Sequence, residues 1–125
     1  MFRALFLSCL WLCLAATTAM AQDPAQVDPK HNKVEVDNDQ VRVLRFHLGP
    51  KESTPMHEHP AMVLVALTNG HTKVTSGDGT VRESTRKAGE VLYRPALKHA
   101  VENLTDEEYE MIEIELKAPP AAGKR

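Results

Sequence analysis

Cysteine is confined to Cys9 and Cys13, so nothing beyond residue 13 carries a thiol. Both lie in the one long apolar run of the chain, residues 4–16 (ALFLSCLWLCLAA). Met1-Phe2-Arg3 precedes that run and Ala19-Met20-Ala21 follows it. A positive start, an apolar middle and a small-x-small end make up a secretory signal peptide. The run is shorter than the roughly 20 apolar residues of a membrane span, and neither cysteine stands at its end as a lipidated first residue would. Cleavage after Ala21 is therefore expected, with export to a periplasm or secretion into the medium. The mature chain would then lack disulfides and thiolate metal ligands, which suits an oxidising compartment without requiring one.

A large excess of charge is missing too. Without Arg3, fourteen basic residues face seventeen acidic ones, a net charge of −3 with histidine neutral. That balance offers no electrostatic attraction for nucleic acid or, after signal cleavage, for an anionic membrane. There is no serine-centred triad, no phosphate-binding glycine loop, no paired-carboxylate motif, no amphipathic helix and no internal repeat. About a hundred residues remain to bury a real but small core, so closing a sheet or pairing with a second copy would help.

What recurs is short β-prone runs, at 34–36, 41–48, 61–68, 71–75, 81–85, 90–94, 99–103 and 109–116. Turn residues separate them, among them Gly49-Pro50, Ser76-Gly77-Asp78-Gly79 and Ala88-Gly89. Asn69-Gly70 is the strongest hairpin signal, because both positions accept a positive φ. Eight short strands predict an all-β fold, an antiparallel β-barrel or jelly roll. Residues 62–67 are apolar on both faces and predict a strand inside a sheet. In the last strand Ile112, Ile114 and Leu116 share one face and Glu113 and Glu115 the other. The expected organisation is a signal peptide at 1–21, a linker or loose arm at 22–32, the barrel at 33–117 and a disordered tail at 118–125.

Beyond residue 21 there are six histidines: His31, His47, His57, His59, His71 and His99. His57 and His59 are two apart, so in a strand they point to one face about 6 to 7 Å apart. Two imidazoles so placed can converge on a metal ion with ring nitrogens about 2 Å from it. The same face would continue through Ala61, Val63 and Val65 into an apolar interior, where an unsatisfied polar pair is costly. A solvated pair on the outer face is the alternative. His31, in the arm, and His71, just past a turn, are expected at the surface. Outer-face or rim positions are expected for Arg45, His47, Glu113 and Glu115. Tyr93 could offer a phenol to the interior if it faces inward. Asp106-Glu107-Glu108 reads as a solvated loop. Asn103-Leu104-Thr105 is a glycosylation sequon.

The stretch Gly49-Pro50-Lys51-Glu52-Ser53-Thr54-Pro55-Met56-His57-Glu58-His59, closed by Gly70, resembles the first motif of the cupins. Gly89, Pro95, His99 and Asn103 resemble the second. Together they span residues 49–103, and the strand count extends the likeness over most of the mature chain. The resemblance implies a cupin barrel with His57, His59 and His99 as metal ligands, and Asn103 in a structural hydrogen-bonding role. Two departures stand out. Val63 occupies the position of the family's glutamate ligand, and Leu97 replaces an internal glycine. A three-histidine ligand set is similar to that of cysteine dioxygenase and of some diketone- or flavonol-cleaving cupins. The resemblance also makes a homodimer an expectation.

Three neutral imidazoles leave one divalent ion its full charge and open positions for an anionic, chelating small molecule. Fe(II) there would suit dioxygenase-like chemistry, and Zn(II) would activate water. Mn(II) and Ni(II) are equally compatible with the ligands. Three functions follow: a metal-dependent enzyme acting on a small anion, a non-catalytic barrel that binds a small molecule or metal, and a metal-free structural barrel.

Overall fold

The computed structural model describes residues 22–118. The signal peptide expected at 1–21, and the expected tail apart from Ala118, lie outside them. After a one-turn helix α1 (Pro24–Val27) come nine strands: β1 (Asn32–Asp37), β2 (Val41–Leu48), β3 (His57–His59), β4 (Met62–Ala66), β5 (Gly70–Ser76), β6 (Val81–Arg86), β7 (Val91–Arg94), β8 (Leu97–Asn103) and β9 (Tyr109–Leu116). They form two antiparallel sheets, ordered β1-β2-β9-β4-β7 and β3-β8-β5-β6. Eight strands correspond to the expected runs. The ninth, β3, is the histidine pair itself.

Alternation puts Leu44, Phe46 and Leu48 of β2 inside, against Met62, Leu64 and Ala66 of β4 and Met111 and Tyr109 of β9. Burying each of the leucine, methionine and phenylalanine side chains contributes about 1.5–3 kcal/mol. The ring of Tyr109 meets Phe46 edge-on, with centroids 6.2 Å apart, as the aromatic quadrupole favours. β4 lies between β9 and β7, so both its edges are paired, as its two apolar faces predict.

Four local expectations are corrected. The first concerns β9, which alternates as read but with the opposite face inward. Tyr109, Met111, Glu113 and Glu115 are buried, while Ile112 and Ile114 form part of a half-buried outer surface. The register fixes this, because Glu113 stands level with inward Leu44 on one side and inward Leu64 on the other.

The second concerns Val63. The chain changes sheet at Pro60-Ala61, and the alternation loses phase there. His57 and His59 point inward from β3, but so do Met62, Leu64 and Ala66 of β4, which leaves Val63 facing out beside Ile114 and Tyr93.

The third concerns Asn69-Gly70, which is not a hairpin, because β4 and β5 belong to different sheets. Gly70 has no positive φ. It is small because a Cβ there would come within 2.2 Å of the Tyr109 ring. Tight turns with a positive φ are at Gly79 (φ 87°), between β5 and β6, and at Gly89 (φ 89°), between β6 and β7.

The fourth concerns residues 22–31, which pack against the barrel rather than hanging loose. Asp23 caps α1 by accepting the Ala25 N–H at 2.9 Å, and the carbonyl of Gln22 accepts the N–H of Glu58 on β3 at 2.8 Å. His31, expected at the surface, is buried between Asp28 (Nδ1 to Oδ1 2.8 Å) and Glu52 (Nε2 to Oε2 3.1 Å). Without those two carboxylates its ring would have no reason to leave water.

Candidate metal centre

β3 is three residues long and carries His57 and His59 on its inner face, 1% and 3% exposed. β8 runs antiparallel beside it, with His99 directly opposite His57. Two alternate residues and one cross-strand neighbour make a triangle. The ring centroids lie 4.8 Å (His57–His59), 4.7 Å (His57–His99) and 5.4 Å (His59–His99) apart, with the planes steeply inclined to one another. One ring nitrogen from each lies within 4.8 Å of the other two.

Hydrogen bonds set which nitrogens are free. Nδ1 of His57 lies 2.8 Å from the carbonyl of Pro55, which can only accept, so the proton sits on Nδ1 and Nε2 is a lone pair. Nδ1 of His59 likewise donates to Oε1 of Glu115 at 2.8 Å. Nε2 of His59 and Nε2 of His99 are buried with no hydrogen-bond partner among the described residues. Leaving such an atom unsatisfied costs about 1–3 kcal/mol. An ion about 2 Å from three imidazole nitrogens would satisfy them together, so the residues present fit a metal. The cluster could hold one, and its geometry does not choose which.

The electrostatics favour the ligating form for two of the three. Burial pushes His57 down to about 4, against the hydrogen bond to Pro55. Burial, reinforced by the neighbouring His57 and His59, pushes His99 down to about 3. Both are therefore neutral at pH 7. For His59 burial also pushes down, but the Glu113 charge and the Glu115 hydrogen bond outweigh it and the pKa is raised.

Two carboxylates complete the centre, and both were expected outside the barrel. Glu115, 2% exposed, receives His59 on one oxygen and Nε of Arg42 on the other at 2.6 Å. Burial raises its pKa, but these two partners more than reverse the shift and hold it low. Arg42 in turn makes a two-pronged pair with Asp23 at 2.6 and 3.0 Å. A continuous chain thus runs from the N-terminal segment through Asp23, Arg42 and Glu115 to His59. Glu113, 5% exposed, has Oε2 3.8 Å from Nε2 of His59 and no hydrogen bond on that oxygen. Burial raises its pKa, against the pull of His59.

The fold has counterparts among solved structures. A cupin domain from Bordetella pertussis Tohama I is 31% identical, over 70% of this chain and 92% of that one, with a TM-score of 0.66. The chain is a cupin. A cupin-family protein from Methanocaldococcus jannaschii with a double-stranded β-helix fold matches at 22% identity, 72% and 84% coverage and a TM-score of 0.55, a likeness of fold alone. Bacillus subtilis oxalate decarboxylase, a protein with Mn(II) centres, is 26% identical over 66% of this chain and 23% of its own, with a TM-score of 0.51. No protein-family model matches the chain, and no curated protein does.

Within this cupin the position of the motif's glutamate, Val63, faces away from the histidines. The inward carboxylate comes instead from β9, where Glu113 is paired across the sheet with Leu64. A cavity of about 60 Å³ lies beside the cluster, floored by Phe46, Met62 and Leu64 and reaching both His99 and Glu113. Arg82 and Arg86 of β6 and Arg94 of β7 also line it. Nothing in the sequence reading singled them out, because β6 has no apolar face to show which way it turns. A broader, open groove of about 480 Å³ lies near His59, lined by Asp23, Arg42, Glu58 and Glu115.

Other expected positions fall outside the centre. Tyr93 points away from the interior and is 58% exposed. Arg45 lies on the outer face between Glu35 (3.1 Å) and Glu110 (2.7 Å), and His47 pairs there with Glu108. His71 meets Glu83 at the surface at 2.6 Å. Asn103 is fully buried, donating to the carbonyls of Gly49 (3.0 Å) and Glu107 (2.7 Å). That is the structural role its motif position implies.

Proposed function

We propose that this cupin binds one divalent ion through His57, His59 and His99 and uses it on a small anionic or chelating molecule bound in the barrel. The observation that carries the reading is the pair of buried, unpartnered Nε2 atoms of His59 and His99, in a cluster with His57 whose ring nitrogens lie within 4.8 Å of one another. The bound ion would act as a Lewis acid and, if it is iron, as a partner for oxygen in dioxygenase-like chemistry.

The protein's own contribution is positional. Pro55 and Glu115 fix the ring orientation of two ligands. The inner strands exclude bulk water. Glu113 places a carboxyl oxygen beside the ligand cluster and inside the substrate cavity, where it can hold a proton or accept one from a bound acid. Export, expected from residues 1–21, would place this activity in a periplasm or outside the cell.

The apolar floor of Phe46, Met62 and Leu64 also favours a second reading, capture of a small molecule without chemistry. Metal-stripped protein titrated with Fe(II), Mn(II), Ni(II) and Zn(II) should take up one equivalent, and the His57→Ala protein none. Oxygen uptake by the Fe(II)-loaded protein with a panel of small carboxylic acids supports the enzyme. Tight binding with no turnover under any of the four metals supports capture.

A further inference from the structure

Three arginines meet where the barrel is open. β6 and β7 are the end strands of the two sheets and are not paired with each other. Arg82 and Arg86 lie on one face of β6, with Ser84 between them. Together with Arg94 of β7 they line the cavity that ends at His99 and Glu113. Among the described residues none of the three pairs with a carboxylate, whereas Arg42 and Arg45 each hold two. Arg86 Nη1 donates to the neighbouring Thr85 carbonyl at 2.7 Å. Burial, and the positive charges of Arg86 and Arg82 beside it, hold Arg94 below the usual arginine value. Like charges gathered without a counter-charge oppose folding, and guanidinium groups match carboxylate and phosphate oxygens in geometry.

We infer that Arg82, Arg86 and Arg94 form an oxyanion-binding mouth, and that the substrate is a short organic dianion with one end held there and the other at the histidine cluster. This names the substrate class of the proposed function and rests on that reading only for the metal-facing end. Size limits the class. A single water needs roughly 10–15 Å³, so a cavity of about 60 Å³ suits a chain of a few heavy atoms, such as a short dicarboxylic acid.

Calorimetric titration of the full mature protein, Zn(II)-loaded and metal-free, with malonate, succinate, acetate and inorganic phosphate tests the inference. Arg94→Gln should weaken dicarboxylate binding by about ten- to a hundredfold with metal content unchanged. Arg82→Gln, at an exposed position where folding is not at stake, should weaken it in the same direction. Acetate should bind more weakly than the dicarboxylates and respond less to either substitution. In metal-free protein phosphate should still bind, and both substitutions should weaken it. Dicarboxylate binding equal to wild type in both arginine variants would overturn the mouth, as would phosphate binding that disappears with the metal. If no metal binds but phosphate still responds to the arginines, the metal reading fails and the anion site stands.

Discussion

Nδ1 of His59 donates to Oε1 of Glu115 at 2.8 Å, so the carboxylate sets both the tautomer and the tilt of a ring whose other nitrogen faces the cluster. A carboxylate behind a ligating histidine raises its basicity, and removing one typically costs ten- to a hundredfold in metal affinity. Glu115→Gln should therefore weaken metal binding by about that factor while the barrel stays folded. Competition with a chromophoric chelator reads this directly. An unchanged affinity would show that the His59 ring is held by packing alone.

His59 and Arg42 together keep Glu115 charged in the interior, and the Arg42 side chain is 17% exposed. Arg42→Met removes the guanidinium charge, leaving Glu115 with His59 alone and Asp23 without its ion pair. Breaking one side of a buried pair costs about 3–5 kcal/mol, and some water reaches this one, so a loss of about 3 kcal/mol is expected. Urea denaturation of the metal-free variant against wild type measures it. A loss under about 1 kcal/mol would mean that the pair behaves as a surface bridge.

His57 and His99 have folded-state pKa values pushed by burial to about 4 and about 3, below the unfolded value of about 6.5. Between those limits the unfolded chain binds more protons than the folded one. The stability these two contribute is therefore complete above about pH 6.5 and lost as pH falls. Each contributes a slope of up to about 1.4 kcal/mol per pH unit. His59, with its pKa raised, opposes them, because its contribution is lost as pH rises. Glu115 and Asp23 are held low by their partners and titrate toward the acid end of this range, whereas buried Glu113, with its pKa raised, opposes the fall as His59 does. Metal-free protein should lose stability from pH 6.5 to pH 5, and His99→Gln should flatten that fall. Equal slopes in the wild type and the His99→Gln protein would contradict the burial of a neutral imidazole at His99.

Val63→Glu, a change that would rebuild the motif's four-ligand set if Val63 faced inward, should leave metal affinity unaltered. The side chain lies on the outer face, beside Ile114 and Tyr93. Tighter binding of Mn(II) or Fe(II) by this variant would show that the phase of β4 is wrong.

The barrel and the three histidines were legible in the sequence because their signals are local. Strand alternation, turn residues and two short motifs each lie within a few residues of chain. Glu113 and Glu115 were misplaced for a physical reason. A two-residue period tells which side chains share a face but not which face is buried. An Ile-Ile-Leu stripe opposite two glutamates argues for the wrong one unless Arg42 and His59 are known to stand behind it. The slip of Val63 came from Pro60-Ala61, where the chain changes sheet and the alternation restarts. The one-turn helix at Pro24–Val27 is too short to show a period, and its contacts to Arg42 and Glu58 are set by distant partners. The arginine mouth joins two strand edges that sequence reading treats separately.

The most direct test of the metal centre is elemental analysis of the mature protein purified from its native compartment, without metal-affinity chromatography. Close to one equivalent of a single divalent metal is expected, lost in both the His57→Ala and His99→Ala proteins. Absence of metal in the wild type, with none taken up on titration, or full metal content in both variants, would contradict it.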